Sequence, residues 1–134
     1  MNKPVGKTKD VGFQFGLRKT FSVSANDAWD FMFSNEGLNT WLGSLKDELE
    51  IKKPFTTMEG IEGLVRVLKP YSHIRMNWKK PDWENMSTVQ IRVMGNAHKA
   101  TIAIHQEKLL DSAQREEMKE YWQGKMEEIS KQLD

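Results

Sequence analysis

The chain has 134 residues, with 20 basic and 19 acidic side chains, a formal charge of +1 and no cysteine. That balance leaves no electrostatic footprint for nucleic acid, and the missing thiols exclude disulfides, cysteine catalysis and zinc–thiolate sites. The length suits one domain that buries most of its unfolded surface, and no apolar run approaches the roughly 20 residues needed to cross a bilayer.

Residues 1–12 read as a flexible polar lead-in, with Pro4, Gly6 and Gly12, before a single domain over 13–134. The first seven residues lack the apolar run of a signal peptide. With the thiol-free composition, this leads us to expect a cytoplasmic protein. Phe13 to Val23 alternates as a first strand, broken at Lys19. Ser24 is a helix cap with Asp27 three residues on, and Ala28, Trp29, Met32 and Phe33 share the following helix face. A second short helix is predicted from Leu38 to Leu42 or Leu45, punctuated by Gly37 and Gly43.

The middle of the chain reads as strands. Leu49 to Phe55 is a weak one and Gly60 to Leu68 a better one. After a turn at Pro70-Tyr71-Ser72, Ile74, Met76 and Trp78 alternate with polar residues. Val89, Ile91 and Val93, then Ala100, Ile102 and Ile104, form a hairpin about Gly95-Asn96. A short turn follows His105, and Asp111, boxed with Gln114, caps a long final helix. Its stripe is Met118, Trp122, Met126, Ile129 and Leu133. Glu127 and Lys131 are expected to pair along it, and Gly124 weakens it. Strands followed by a long amphipathic helix give α+β, with the helix lying on an antiparallel sheet.

Four stretches, in this order and spacing, resemble the START-like superfamily. They are Phe21-Ser22-Val23-Ser24-Ala25-Asn26-Asp27-Ala28-Trp29; Asn35-Glu36-Gly37-Leu38-Asn39-Thr40-Trp41-Leu42; Gly63 through Pro70 and Tyr71 to Trp78; and Thr101 to His105 with the Trp122-led helix. Within it, they look like the branch named for the activator of the ninety-kilodalton heat-shock-protein ATPase. A proline usually opens the second helix where Asn35 stands. The resemblance implies a helix-grip fold, a curved antiparallel sheet wrapped around the long helix. It also implies a hydrophobic or aromatic small-molecule ligand, with chaperone binding and lyase or cyclase chemistry as the family's other activities.

The candidate ligand-binding set is Trp29, Trp41, Trp78, Met118, Trp122 and Met126, flanked by Tyr121 and Lys125 as polar contacts. The same helical spacing also makes an ordinary core. His105 reads as a sheet-face residue or a general base. Glu36, Asp47, Glu48, Glu59 and Glu62 read as surface carboxylates, and Gly60-x-x-Gly63 as a bend rather than a phosphate loop. Lys79-Lys80-Pro81-Asp82-Trp83 reads as a pocket edge or a surface loop rather than a nucleic-acid site. No histidine pair has metal spacing, so no metal, cofactor or catalytic residue is assigned. The expected partners are a small hydrophobic molecule or, as the alternative, a protein partner, with neither nucleic acid nor membrane, in a monomer or homodimer.

Overall fold

The computed structural model describes residues 7–8 and 12–133. Among these described residues, seven strands form one antiparallel sheet: β1 (Lys7–Thr8), β2 (Gly12–Phe21), β3 (Pro54–Thr56), β4 (Glu62–Lys69), β5 (His73–Lys79), β6 (Ser87–Gly95) and β7 (Ala100–Leu109). Their spatial order is β1-β2-β7-β6-β5-β4-β3. Two short helices, α1 (Ala25–Met32) and α2 (Asn35–Trp41), lie between β2 and β3 in sequence, and α3 (Ser112–Leu133) follows β7. This is the expected helix-grip α+β architecture.

Period-two alternation explains the grip. Ile74, Met76 and Trp78 on β5, Val89, Ile91 and Val93 on β6, and Ile102 and Ile104 on β7 are all buried on the inner face. Met118, Trp122, Met126 and Ile129 of α3 are buried against them. At 22 residues α3 is about 33 Å long, enough to cross the sheet. A polar thread runs through this contact. Trp122 Nε1 donates to Gln106 Oε1 at 2.8 Å. Gln106 Nε2 donates to Ser87 Oγ at 2.9 Å, and that hydroxyl donates to the Trp78 carbonyl at 2.5 Å.

Several local expectations shift. The lead-in lies mostly outside the described residues; within it, Lys7 and Thr8 pair with Phe13 and Gly12. The strand ending at His105 continues to Leu109, where a bulge falls opposite Phe13–Phe15 and Lys108 takes φ +62°. The weak strand shortens to Pro54–Thr56 with one bridge from Ile51 to Val65. The second helix starts at Asn35, because Ser34 caps it by accepting from the Gly37 N–H at 3.0 Å. Gly37 therefore sits inside the helix rather than before it, and a Cβ there would overlap the Phe31 carbonyl. Asp111 caps α3 at the Gln114 N–H, but the Gln114 amide oxygen takes the Leu110 N–H, one residue before the box position. Lys131 pairs with Glu128 at 3.2 Å rather than with Glu127.

Candidate functional site

Tyr121 leaves α3 one residue before the core tryptophan Trp122. Its ring meets Trp122 at 5.0 Å and Trp78 at 5.6 Å between centroids. Lys125, one turn on, holds its ammonium 5.1 Å from the Tyr121 ring centre, and Lys80 from the β5–β6 loop approaches to 4.9 Å. Lys80 is tied back to Glu117 at 2.6 Å. These groups border a cavity of about 320 Å³ whose apolar wall is Leu42, Ile61 and Pro81, with Asn39, Gly43 and Glu59 completing it.

Gly43 positions the acidic side of this cavity. Its φ of +135° is open to glycine, and a Cβ there would collide with Glu59 Oε1 and Thr57. Glu59 Oε1 consequently accepts the Ser44 N–H at 2.8 Å. That backbone hydrogen bond is the main cause holding the Glu59 carboxyl below its ordinary range. Burial, reinforced by the Glu59 charge, pushes the Tyr121 hydroxyl up to about 12. Desolvation lowers Lys125 and the Lys80 charge lowers it further, against the opposing pull of Glu59 and Glu128. A larger cleft of about 660 Å³ lies on the far side of Asn39 and Gly43, walled by Phe33, Leu38, Leu45, Leu49 and Leu68.

The eight candidate residues divide into two groups. Trp41, Trp78, Met118 and Trp122 have no exposed surface, and Trp29 and Met126 are 5% exposed. These six pack in the core: Trp78 lies 5.7 Å from Trp122, and Trp29 stacks on Phe33 at 4.2 Å. Tyr121 and Lys125 line the 320 Å³ cavity. Lys80 and Pro81, on the loop read as a pocket edge, form part of its wall, while Trp83 is buried edge-on against Trp78 at 5.4 Å. Leu42, Gly43, Glu59 and Ile61 also line the cavity and were missed; only Gly43, read as a helix stop, and Glu59, read as a surface carboxylate, carried any local signal. His105 is on the outer sheet face, its Nε2 3.0 Å from Gln14 Oε1. Among the described residues, no cluster of three or more His, Asp or Glu could hold a metal, and no helix is long and apolar enough to cross a membrane.

This architecture is a helix-grip fold. No protein-family model and no curated protein matches the chain. Solved structures do. DynU16, a protein of the dynemicin biosynthetic locus, superposes with a TM-score of 0.80 at 12% identity, over 90% of this chain and 46% of its own. The chain thus spans about half of that protein's length. An HSP90 activator from Plasmodium falciparum matches with a TM-score of 0.68 at 17% identity, covering 81% and 86% of the two chains. The Aha1 dimer from Colwellia psychrerythraea matches at 0.73 and 9%, covering 90% and 95%. These TM-scores establish a shared fold, and at such low identities they establish the fold alone.

Proposed function

We propose that the protein binds a small, flat, largely hydrophobic molecule in the Tyr121–Lys125 cavity. The observation that carries this reading is the pair itself. A half-buried ammonium and a partly buried phenol face an apolar-walled space, where an ordinary core would place aliphatic side chains. Ligand sites combine apolar walls with a few polar groups, and about 320 Å³ falls at the small end of their range. Leu42, Ile61 and Pro81 would cover the ligand's body, while Lys125 and Tyr121 would fix its polar edge. The packed tryptophans behind them act as a rigid floor. A cytoplasmic location belongs to the same proposal.

The test is thermal unfolding with tryptophan fluorescence across a panel of aromatic and fatty acids, amines and alcohols. Trp78 and Trp122 both touch Tyr121, so an occupant should change their emission. A ligand at about 100 times its Kd stabilises the native state by ~2.7 kcal/mol. The expected result is a saturable emission change with a rise in Tm, weakened in Lys125→Met and Tyr121→Phe. A flat response across the panel, or a shift unchanged in both variants, overturns the proposal.

A further inference from the structure

The outer face of the sheet carries charge in a pattern that neither the fold nor the cavity requires. Register places Lys69 opposite His73, His73 opposite Arg92, Arg92 opposite Ala103 and Ala103 opposite Arg18. Directly paired residues share a face, so these five side chains make one rung across five strands. The next rung holds Arg75, Gln90, His105 and Gly16. Neither rung contains an acid. Glu107, one rung further, is already bound to Arg75. Among the described residues, Arg18, Lys69 and Arg92 form no ion pair.

Arg18, Arg92 and Lys69 stand on alternate strands, separated by Ala103 and His73, with no acid between them. The chain's formal charge is only +1, so its acids lie elsewhere. The His73 imidazole registers the field: after desolvation, the Arg92 and Lys69 charges lower it below its ordinary range. Ala103 and Gly16 keep the middle of the patch low, which leaves the flanking cations reachable from outside. Strands about 4.8 Å apart put Arg18, Arg92 and Lys69 at steps of about 10 Å. An extended polyproline-type segment repeats its side chains every three residues, about 9.3 Å.

We propose that the Lys69–Arg92–Arg18 rung is a docking surface for an acidic protein segment, an extended peptide with a carboxylate at about every third residue. Guanidinium groups bind carboxylates in paired hydrogen bonds, and Gln90, Thr101 and Thr20 on adjacent positions supply further polar contacts. Single-stranded nucleic acid is disfavoured because neither rung offers an aromatic platform for its bases. An anionic membrane is disfavoured because such surfaces recruit clusters of about 4–8 basic residues.

The experiment uses the full chain and a fluorescein-labelled peptide of about four Glu-Ala-Pro repeats, read by anisotropy. The controls are the Gln-Ala-Pro peptide, an oligo-dT strand and phosphatidylserine–phosphatidylcholine vesicles. Saturable binding of the Glu peptide is expected, weakened about tenfold or more in Arg18→Glu/Lys69→Glu, whose positions are both exposed. Arg92→Gln, a milder change, should weaken it several-fold, and raising salt should weaken it for the parent. Circular dichroism confirms folding of each variant. The proposal fails if the Glu peptide does not bind, or if it binds the double variant as tightly as the parent. It also fails if the Gln peptide, the DNA or the vesicles bind more tightly than the Glu peptide.

Discussion

Replacing Gln106 with Met tests whether the polar thread between α3 and the sheet holds the grip closed. The side chains are similar in size, so little volume is lost. The amide makes two hydrogen bonds, one from Trp122 Nε1 and one to Ser87 Oγ, all within the buried core. Losing it strands the indole N–H, whose desolvation goes uncompensated at about 1–3 kcal/mol. The Ser87 hydroxyl keeps its bond to the Trp78 carbonyl, so losing its second partner should add about 1 kcal/mol. The expected loss is about 2–4 kcal/mol, a large share of a domain stability of about 5–15. At about 2.1 cal/mol/K per residue, the unfolding entropy of 134 residues is about 0.28 kcal/mol/K. The fall in Tm is then about 7–14 °C. Urea unfolding followed by fluorescence gives the free energy, and calorimetry gives Tm. In a Trp122→Phe background the same Gln106 change should cost clearly less, because no indole N–H is left to strand. A Gln106→Met protein within about 0.5 kcal/mol of the parent, or equal costs in both backgrounds, would refute the reasoning.

Four further outcomes are expected. Gly124→Ala should stabilise by about 0.5–1 kcal/mol in urea unfolding, since nothing lies within 4 Å of the added Cβ and the helix gains propensity. Gly37→Ala should cost about 2–3 kcal/mol or prevent folding, because the Cβ meets the Phe31 carbonyl and the α1–α2 corner must open. In a phenolate absorbance titration Tyr121 should ionise only near pH 12. Since its folded pKa lies above the unfolded value of about 10, the stability tied to it is complete below pH 10 and is lost between about 10 and 12; Tyr121→Phe removes that part of the alkaline slope. Glu59 has the opposite sign. Its folded pKa is depressed, so its contribution is present above about pH 4.5 and lost as pH falls through the folded value; Glu59→Gln should flatten the acid limb of the pH–stability curve.

The elements most legible in the sequence are those whose signals agree at several levels. The β5, β6 and β7 runs alternate cleanly, Gly95-Asn96 turns the hairpin, and Asn96 Oδ1 then accepts from the His98 and Lys99 N–H groups. Ser24 caps α1 as its spacing suggests, taking the Asp27 N–H at 3.0 Å. The misplacements arise where tertiary contact overrides a local cue. Gly37 looks like a helix stop, but the tight packing of α2 on α1 requires the missing Cβ. The strand beyond His105 loses its alternation at Gln106-Glu107-Lys108, because Gln106 faces inward to bond Trp122 and Lys108 is in a bulge.

The site was less legible for a different reason. Aromatic and Met positions at helical spacing show which residues turn inward, but a cavity exists only where facing side chains fail to meet. Trp78, Trp83, Tyr121 and Trp122 meet edge to face or tilted at 5.0–5.7 Å and fill the volume that the tryptophan count suggests is open. The space instead opens where Leu42-Gly43, Glu59 and Pro81 come together from three separate segments. No periodicity within any one segment encodes that convergence. The outer-face rung is hidden in the same way. Arg18 and Lys69 are 51 residues apart in sequence and become a charged row only through the register of four strand pairs. A one-residue slip in any of those pairs would turn its cations to the other face, so the apolar inner face that sets the register also sets the charge outside. Core packing and surface recognition are therefore specified by the same alternation, and a substitution that shifts the β6–β7 register should disturb both together.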